Sequence, residues 1–295
     1  MKLQKLLFSV ILGGLALTAC DEIAENERWG EKTPIANDDE GHWSGPTPET
    51  FEKNVLIEDF TGQDCVNCPN AAEEVHHLQE QTLMSYGKQR IIAVAIHGGS
   101  MSMSADANAR GLATAQGNEF NQHWGVSSWP KGMVDRTDGL CDFVHWAARA
   151  MARLSLTSPI DFNIHTTYNP ETREVKIEVE GSSTSMKTTT LNVWLTENDI
   201  VGYQKMPDGS TNTKYVHNHV FRDNLTSLYG DLVEADADGK YSQTLSYAIP
   251  MGYGKGATNE KYYCKPENMS IVVFFTDPVT GQVLHVKDAP VVVAE

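Results

Sequence analysis

Two cysteines stand two residues apart, Cys65 and Cys68, inside VLIEDFTGQDCVNCPNAAEEVHHLQEQ. That spacing suits a redox couple, half of a zinc site or a structural clip. In exchange chemistry the thiolate is the nucleophile, so the first Cys needs a site that favours the anion, such as a helix N-terminus. The second must reach back to resolve the mixed disulfide. A structural zinc site needs four ligands. His76 and His77 are near, but no second close pair at finger-like spacing exists. His217 and His219, with Asp223, offer a weaker metal reading, because alternate strand residues share a face; a polar sheet face is the commoner reason for such a pattern. Asp236-Ala237-Asp238-Gly239 has the start of a calcium loop without its later ligands, and reads as a turn. No cofactor is expected.

The remaining cysteines are Cys20, Cys141 and Cys264. A basic start (MKLQK) and an apolar run (LLFSVILGGLAL) precede Leu17-Thr18-Ala19-Cys20, as in a secretory signal. The run is short for a membrane span. LTAC resembles the lipobox of bacterial lipoproteins, which implies removal of residues 1–19 and lipidation of Cys20, and hence a membrane partner. Cleavage removes Lys2 and Lys5 and leaves 39 acids against 21 bases, a net −18 compared with −16 for the whole chain. Such a charge argues against nucleic acid as a partner. Residues 20–50 are acidic, carry three prolines and show no apolar period, so they read as an extended tether. In an oxidising compartment, Cys65 can pair with Cys68. Cys141 and Cys264 then either form a second bridge or stay as two buried thiols.

The elements that must position the pair are legible in part. NVLIEDF (54–60) reads as a buried strand, residues 70–84 as a helix and RIIAVAI (90–96) as a central parallel strand. A helix over 113–124, a proline-led strand after Pro130 and an amphipathic helix over 141–154 follow. This order resembles a thioredoxin-like domain. The resemblance implies that Cys65 attacks and Cys68 resolves, and that Pro130 is cis and lines the substrate site with Trp129. Departures from the pattern are Asp64 before the couple, Val66-Asn67 inside it and Pro69 after it. Pro69 biases Cys68 away from helical geometry, and there is little room for a closing hairpin.

From residue 158 the pattern alternates with period two. About seven short strands, separated by turns such as Pro207-Asp208-Gly209, argue for a β-sandwich of immunoglobulin-like type. The expected organisation is therefore a signal (1–19), a tether (20–50), an α/β thioredoxin-like domain (51–156) and an all-β sandwich (157–295). VLIEDFTGQDCVNCP, WPKGMVDR and YVHNHVFR together resemble a family of Gram-negative outer-membrane lipoproteins named after a 28-kilodalton outer-membrane protein. Membership implies a lipid-anchored envelope protein at the outer membrane, on its periplasmic or its outer face. Two functions follow as alternatives: thiol–disulfide exchange with envelope proteins through Cys65 and Cys68, or a non-catalytic surface-binding lipoprotein in which the pair is a structural disulfide.

Overall fold

The computed structural model describes residues 50–293; the signal, Cys20 and nearly all of the tether lie outside the described residues. The described residues belong to one compact unit. After β1 (Phe51–Glu52) come β2 (Val55–Thr61), α1 (Cys68–Tyr86), β3 (Ile91–His97), α2 (Ala115–His123), β4 (Lys131–Val134), β5 (Thr137–Cys141), α3 (Trp146–Leu154) and β6 (Thr157–Ser158). The rest is strand: β7 (Ile160–Asn169), β8 (Glu174–Ser183), β9 (Thr188–Glu197), β10 (Ile200–Lys205), β11 (Thr211–His217), β12 (Val220–Asn224), β13 (Asp231–Glu234), β14 (Lys240–Ala248), β15 (Met269–Thr276) and β16 (Val283–Pro290).

A single nine-stranded sheet dominates. Its order is β16-β15-β9-β12-β3-β2-β4-β5, with β13 also on β9. β2 and β3 are parallel, whereas β4 runs antiparallel to β2 and β5 antiparallel to β4. A boundary at 156/157 separates helix-rich from strand-rich sequence, but the sheet runs across it. β12 joins the halves, pairing parallel with β3 at Val220–Ala95 and antiparallel with β9. A three-stranded sheet, β14-β8-β7, forms the second layer of the sandwich.

The cores follow from strand alternation. Leu56 and Phe60 of β2 point to the face that also holds Ile92, Val94, Phe120, Trp194, Phe221, Val272 and Phe274. This core spans both halves. On the opposite face, Val55 and Ile57 pack with Ala71, Val75 and Leu78 of α1 and Trp146 and Ala150 of α3. Further along, Val193, Leu195, Ile271 and Val273 pack against Phe162, Ile177 and Val179 of the second layer. β9 is buried on both faces because Leu191, Val193 and Leu195 serve one core while Trp194 serves another.

Several expectations are corrected. Pro69 does not exclude Cys68 from the helix: α1 begins at Cys68 with proline in its first turn, where no intrahelical N–H is needed. The closing hairpin exists, since residues 137–141 continue as β5 and the helix starts only at Trp146. YVHNHVFR is not one strand. The chain breaks after His217, His219 takes a left-handed φ of 55°, and β11 and β12 enter different sheets. The possible Cys141–Cys264 bridge is absent, and both are free buried thiols. Cys141 belongs to the core under α1 and α3, Cys264 to the core between the sandwich layers.

Because one core serves both halves, Trp194→Ala should cost about 3–5 kcal/mol. In urea, tryptophan fluorescence and far-UV circular dichroism should lose signal in one coincident transition for both the wild type and the variant.

Candidate functional site

Cys65 and Cys68 form a disulfide. The loop that carries them leaves the C-terminal end of β2 and enters α1. Both sulfur-bearing residues are buried, Cys65 at 4 % and Cys68 at 2 % exposure, while Val66 and Asn67 between them are exposed. Lys131 is registered opposite Phe60, so Pro130 sits at the end of β2 from which the cysteine loop departs. The Trp129–Pro130 peptide is cis, as expected. Trp129 donates from Nε1 to Asn121 Oδ1 at 3.1 Å. Its ring packs against Gly99, where a Cβ would meet it at 2.2 Å and φ is +66°. The structure thus brings the two cysteines and Pro130 to one end of the sheet.

The cover over the couple comes from far along the chain. The β10–β11 hairpin lies against the cysteine loop. Gln204 Nε2 donates to the carbonyl oxygens of Gly62 (3.1 Å) and Cys65 (2.9 Å). The Lys205 N–H donates to Gln63 O at 2.9 Å. Asp64, the departure noted before the couple, accepts from the Tyr203 hydroxyl at 3.2 Å and lies 3.4 Å from Lys205 Nζ. Burial and the adjacent Asp64 carboxylate push the Tyr203 phenol up to about 12. From the other side, the Asp64 N–H donates to Met101 O at 2.9 Å. A Cβ on Gly62 would come within 2.2 Å of that same Met101 oxygen, so only glycine allows the close approach.

Sequence reasoning missed Asp59. It lies in β2 on the face that α1 covers, alternating with Val55 and Ile57. Asp59 is buried and its Oδ1 has no hydrogen-bond partner. Burial alone pushes its carboxyl up to about 8. Glu58, one residue earlier, faces the other side and is also fully buried, but Arg136 holds it bidentately at 2.9–3.2 Å. The signal was available: an acid pair inside an otherwise apolar strand, with a partner within reach for only one of them.

Asp59 and Cys68 line the same cavity of about 520 Å³, set between α1, β3 and β11. His97, His217 and His219 line it too. The His97 and His217 rings meet edge-on at 5.5 Å, and His97 Nδ1 has no partner. Burial lowers the pKa of all three, His97 far below its ordinary value and His217 to about 4. At neutral pH the cavity therefore holds neutral imidazoles beside a protonated carboxyl. His76 and His77 are exposed on α1 and sit 3.7 Å and 3.2 Å from Glu80 and Glu73. Among the described residues, no three His, Cys, Asp or Glu side chains are grouped to hold a metal ion. No described helix is long and apolar enough to cross a membrane.

Fold and site define a sheet-dominated α/β protein with a buried Cys-x-x-Cys disulfide loop. The chain belongs to the family described as outer membrane protein Omp28, whose sequence model matches residues 117–294. It is accordingly a member of an outer-membrane protein family. A search of curated protein sequences returned no match. Among solved structures, the fold is similar to HBP35 of Porphyromonas gingivalis, with a TM-score of 0.64 and 16 % identity over 82 % of this chain and 76 % of that one. A domain of the outer membrane lipoprotein Omp28 from the same organism aligns over 47 % of this chain and 92 % of its own, at 18 % identity and a TM-score of 0.32.

The buried groups set opposite pH dependences. Asp59 keeps its proton in the fold long after the unfolded chain has lost it. Its contribution to stability is therefore complete below about pH 4 and is lost as pH rises to about 8. His217 works the other way: its contribution is complete above about pH 6.5 and is lost as pH falls to about 4. In urea melts of the oxidised protein, Asp59→Asn should gain stability relative to the wild type from pH 4 to pH 8 and level off beyond. His217→Gln should flatten the loss between pH 6.5 and pH 4.

Proposed function

We propose that this lipoprotein is a thiol–disulfide exchange protein of the cell envelope, held to the membrane through a lipidated Cys20. On this reading residues 51–156 are a thioredoxin-like module, and the strands from 157 onward are an immunoglobulin-like sandwich that supplies its cover. The strand order β3-β2-β4-β5, the couple at the start of α1 and Pro130 beside it support the module. The observation that carries the function is Asp59: an unpaired buried acid poised near neutral pH, lining one cavity with Cys68. A proton carrier is what exchange requires there.

The step balances as follows. A client thiolate attacks Cys65 Sγ, the Cys65–Cys68 bond breaks, and Cys68 leaves as a thiolate that takes the Asp59 proton. A second client thiolate then displaces Cys65 from the mixed disulfide, which leaves the client oxidised, Cys65 as a thiolate, Cys68 as a thiol and Asp59 ionised until solvent returns its proton. The reverse sequence reduces a client disulfide, with Asp59 accepting the Cys68 proton. Pro130 and Trp129 line the client site. Access to Cys65 requires the β10–β11 hairpin to move aside, which means releasing the hydrogen bonds of Gln204 and Lys205.

The burial of both cysteines favours a second reading, in which the pair is a permanent clip in a surface-binding lipoprotein. As a clip it closes a loop of a few residues, which constrains the unfolded chain by only about 2 kcal/mol.

Equilibration with glutathione buffers, followed by thiol trapping, separates the two. Exchange predicts a potential of roughly −120 to −270 mV, and in Asp59→Asn a turnover with a dithiol or disulfide peptide slowed on the order of 100-fold at pH 7. A pair that stays oxidised below about −300 mV would establish the clip instead.

A further inference from the structure

The hairpin has a second side. Facing away from the disulfide cavity, β10 borders another cavity of about 720 Å³, closed opposite by the short helical turns of residues 254–268. Its size is that of an ordinary small-molecule site. Its chemistry is unlike the rest of the molecule. The chain carries a net −16, yet five bases line this cavity: Arg110, Lys214, Arg222, Lys261 and Lys265. Only Glu197 and Asp199 oppose them there.

The floor is built and incomplete. Arg222 is buried in β12, and its guanidinium lies 4.0 Å over the Tyr253 ring. Glu197 Oε2 sits 3.2 Å from Arg222 Nε, an ion pair off the hydrogen-bond axis. Nε and Nη1 of Arg222 and the Tyr253 hydroxyl are buried without a well-aligned hydrogen-bond partner among the described residues, Arg222 having only the weak acceptor Cys264 and Tyr253 the neighbouring Tyr247 hydroxyl beside it. Unpaired buried donors are costly and uncommon. A planar guanidinium is matched best by a carboxylate or another flat oxyanion. Glu197 already answers one charge, so a cavity with four further bases retains an excess of positive charge for a ligand. Around the floor stand half-buried Tyr203, Tyr262 and Tyr263, each with an apolar face and a polar tip.

We propose that this cavity is a binding site for a small organic anion: a ring compound bearing a carboxylate, seated with its carboxylate toward Arg222 and its ring among the tyrosines. The lysines at the exposed rim attract and retain it. The site needs no redox chemistry and stands whether or not the couple exchanges electrons. In an envelope protein this makes it a receptor for acidic sugars or aromatic acids.

Calorimetric titration of the detergent-solubilised full chain tests this, with galacturonate and benzoate as probes and galactose as the neutral control. Both acids should bind, and galactose should not. Arg222→Met should weaken binding about tenfold or more. Lys261→Ala with Lys265→Ala, both on the exposed rim, should weaken it a few-fold and reduce its dependence on salt. The rim variant leaves the core intact, so it reports even if Arg222→Met fails to fold. The assignment is overturned if neither acid binds, if galactose binds as well as galacturonate, or if the rim variant binds with unchanged affinity and salt dependence.

Discussion

The outer edge of β3 is the constraint on which the rest of the structure depends. A central parallel strand presents N–H and C=O groups on both sides, and an unpaired edge invites aggregation. β2 satisfies one side; the other is met by a segment more than a hundred residues later. Val220 lies opposite Ala95, and the Ala95 N–H donates to His219 O at 2.8 Å. β12 is short, yet it is hydrogen-bonded on its far side to β9 and so continues the sheet into the sandwich. Once β12 is fixed there, the residues just before it have nowhere to go but over the face that α1 covers. His217 and His219 reach the disulfide cavity for this reason, and the β10–β11 hairpin comes down on the cysteine loop.

The two acids of β2 show how one strand serves two purposes. Glu58 and Asp59 are adjacent, both buried and on opposite faces. Glu58 meets Arg136, whose guanidinium is itself packed against Phe274 at 5.0 Å, and the pair closes a core shared by both halves. Asp59 has no such partner and lines the cavity shared with Cys68 instead. A fold selected for stability alone would place an apolar residue there, as at Val55 and Ile57 on the same face. The unsatisfied carboxyl is a cost in stability, and a strongly perturbed acid in a cavity marks a candidate site rather than a structural one.

Much of the scaffold was legible. β2, α1 and β3 follow directly from their apolar periods, as do most of the alternating strands after residue 158, and Pro130 before β4 was placed correctly. What failed depended on distant context. β5 was hidden because Thr137–Cys141 has weak strand character and is held by pairing with β4. YVHNHVFR looked continuous because the break at Asn218–His219 is set by two different sheets rather than by a turn residue. The shared core could not be read at all, since no local pattern says that Trp194 will meet Phe120 at 5.0 Å. Asp59 was visible as an acid in an apolar run. The cavity that gives it meaning is made by α1, β3 and β11 together.

The long sequence separation between the couple and its cover orders events during folding. The chain is made from its N-terminal end, so Cys65 and Cys68 exist well before residues 200–217 do. Until the hairpin forms, the cysteine loop has no cover. Only when Gln204 arrives and binds the Gly62 and Cys65 carbonyls is the loop sealed. Late arrival of the hairpin thus acts as a clock. A newly made chain has a period in which both sulfurs are accessible, and a folded one carries a disulfide screened by the hairpin.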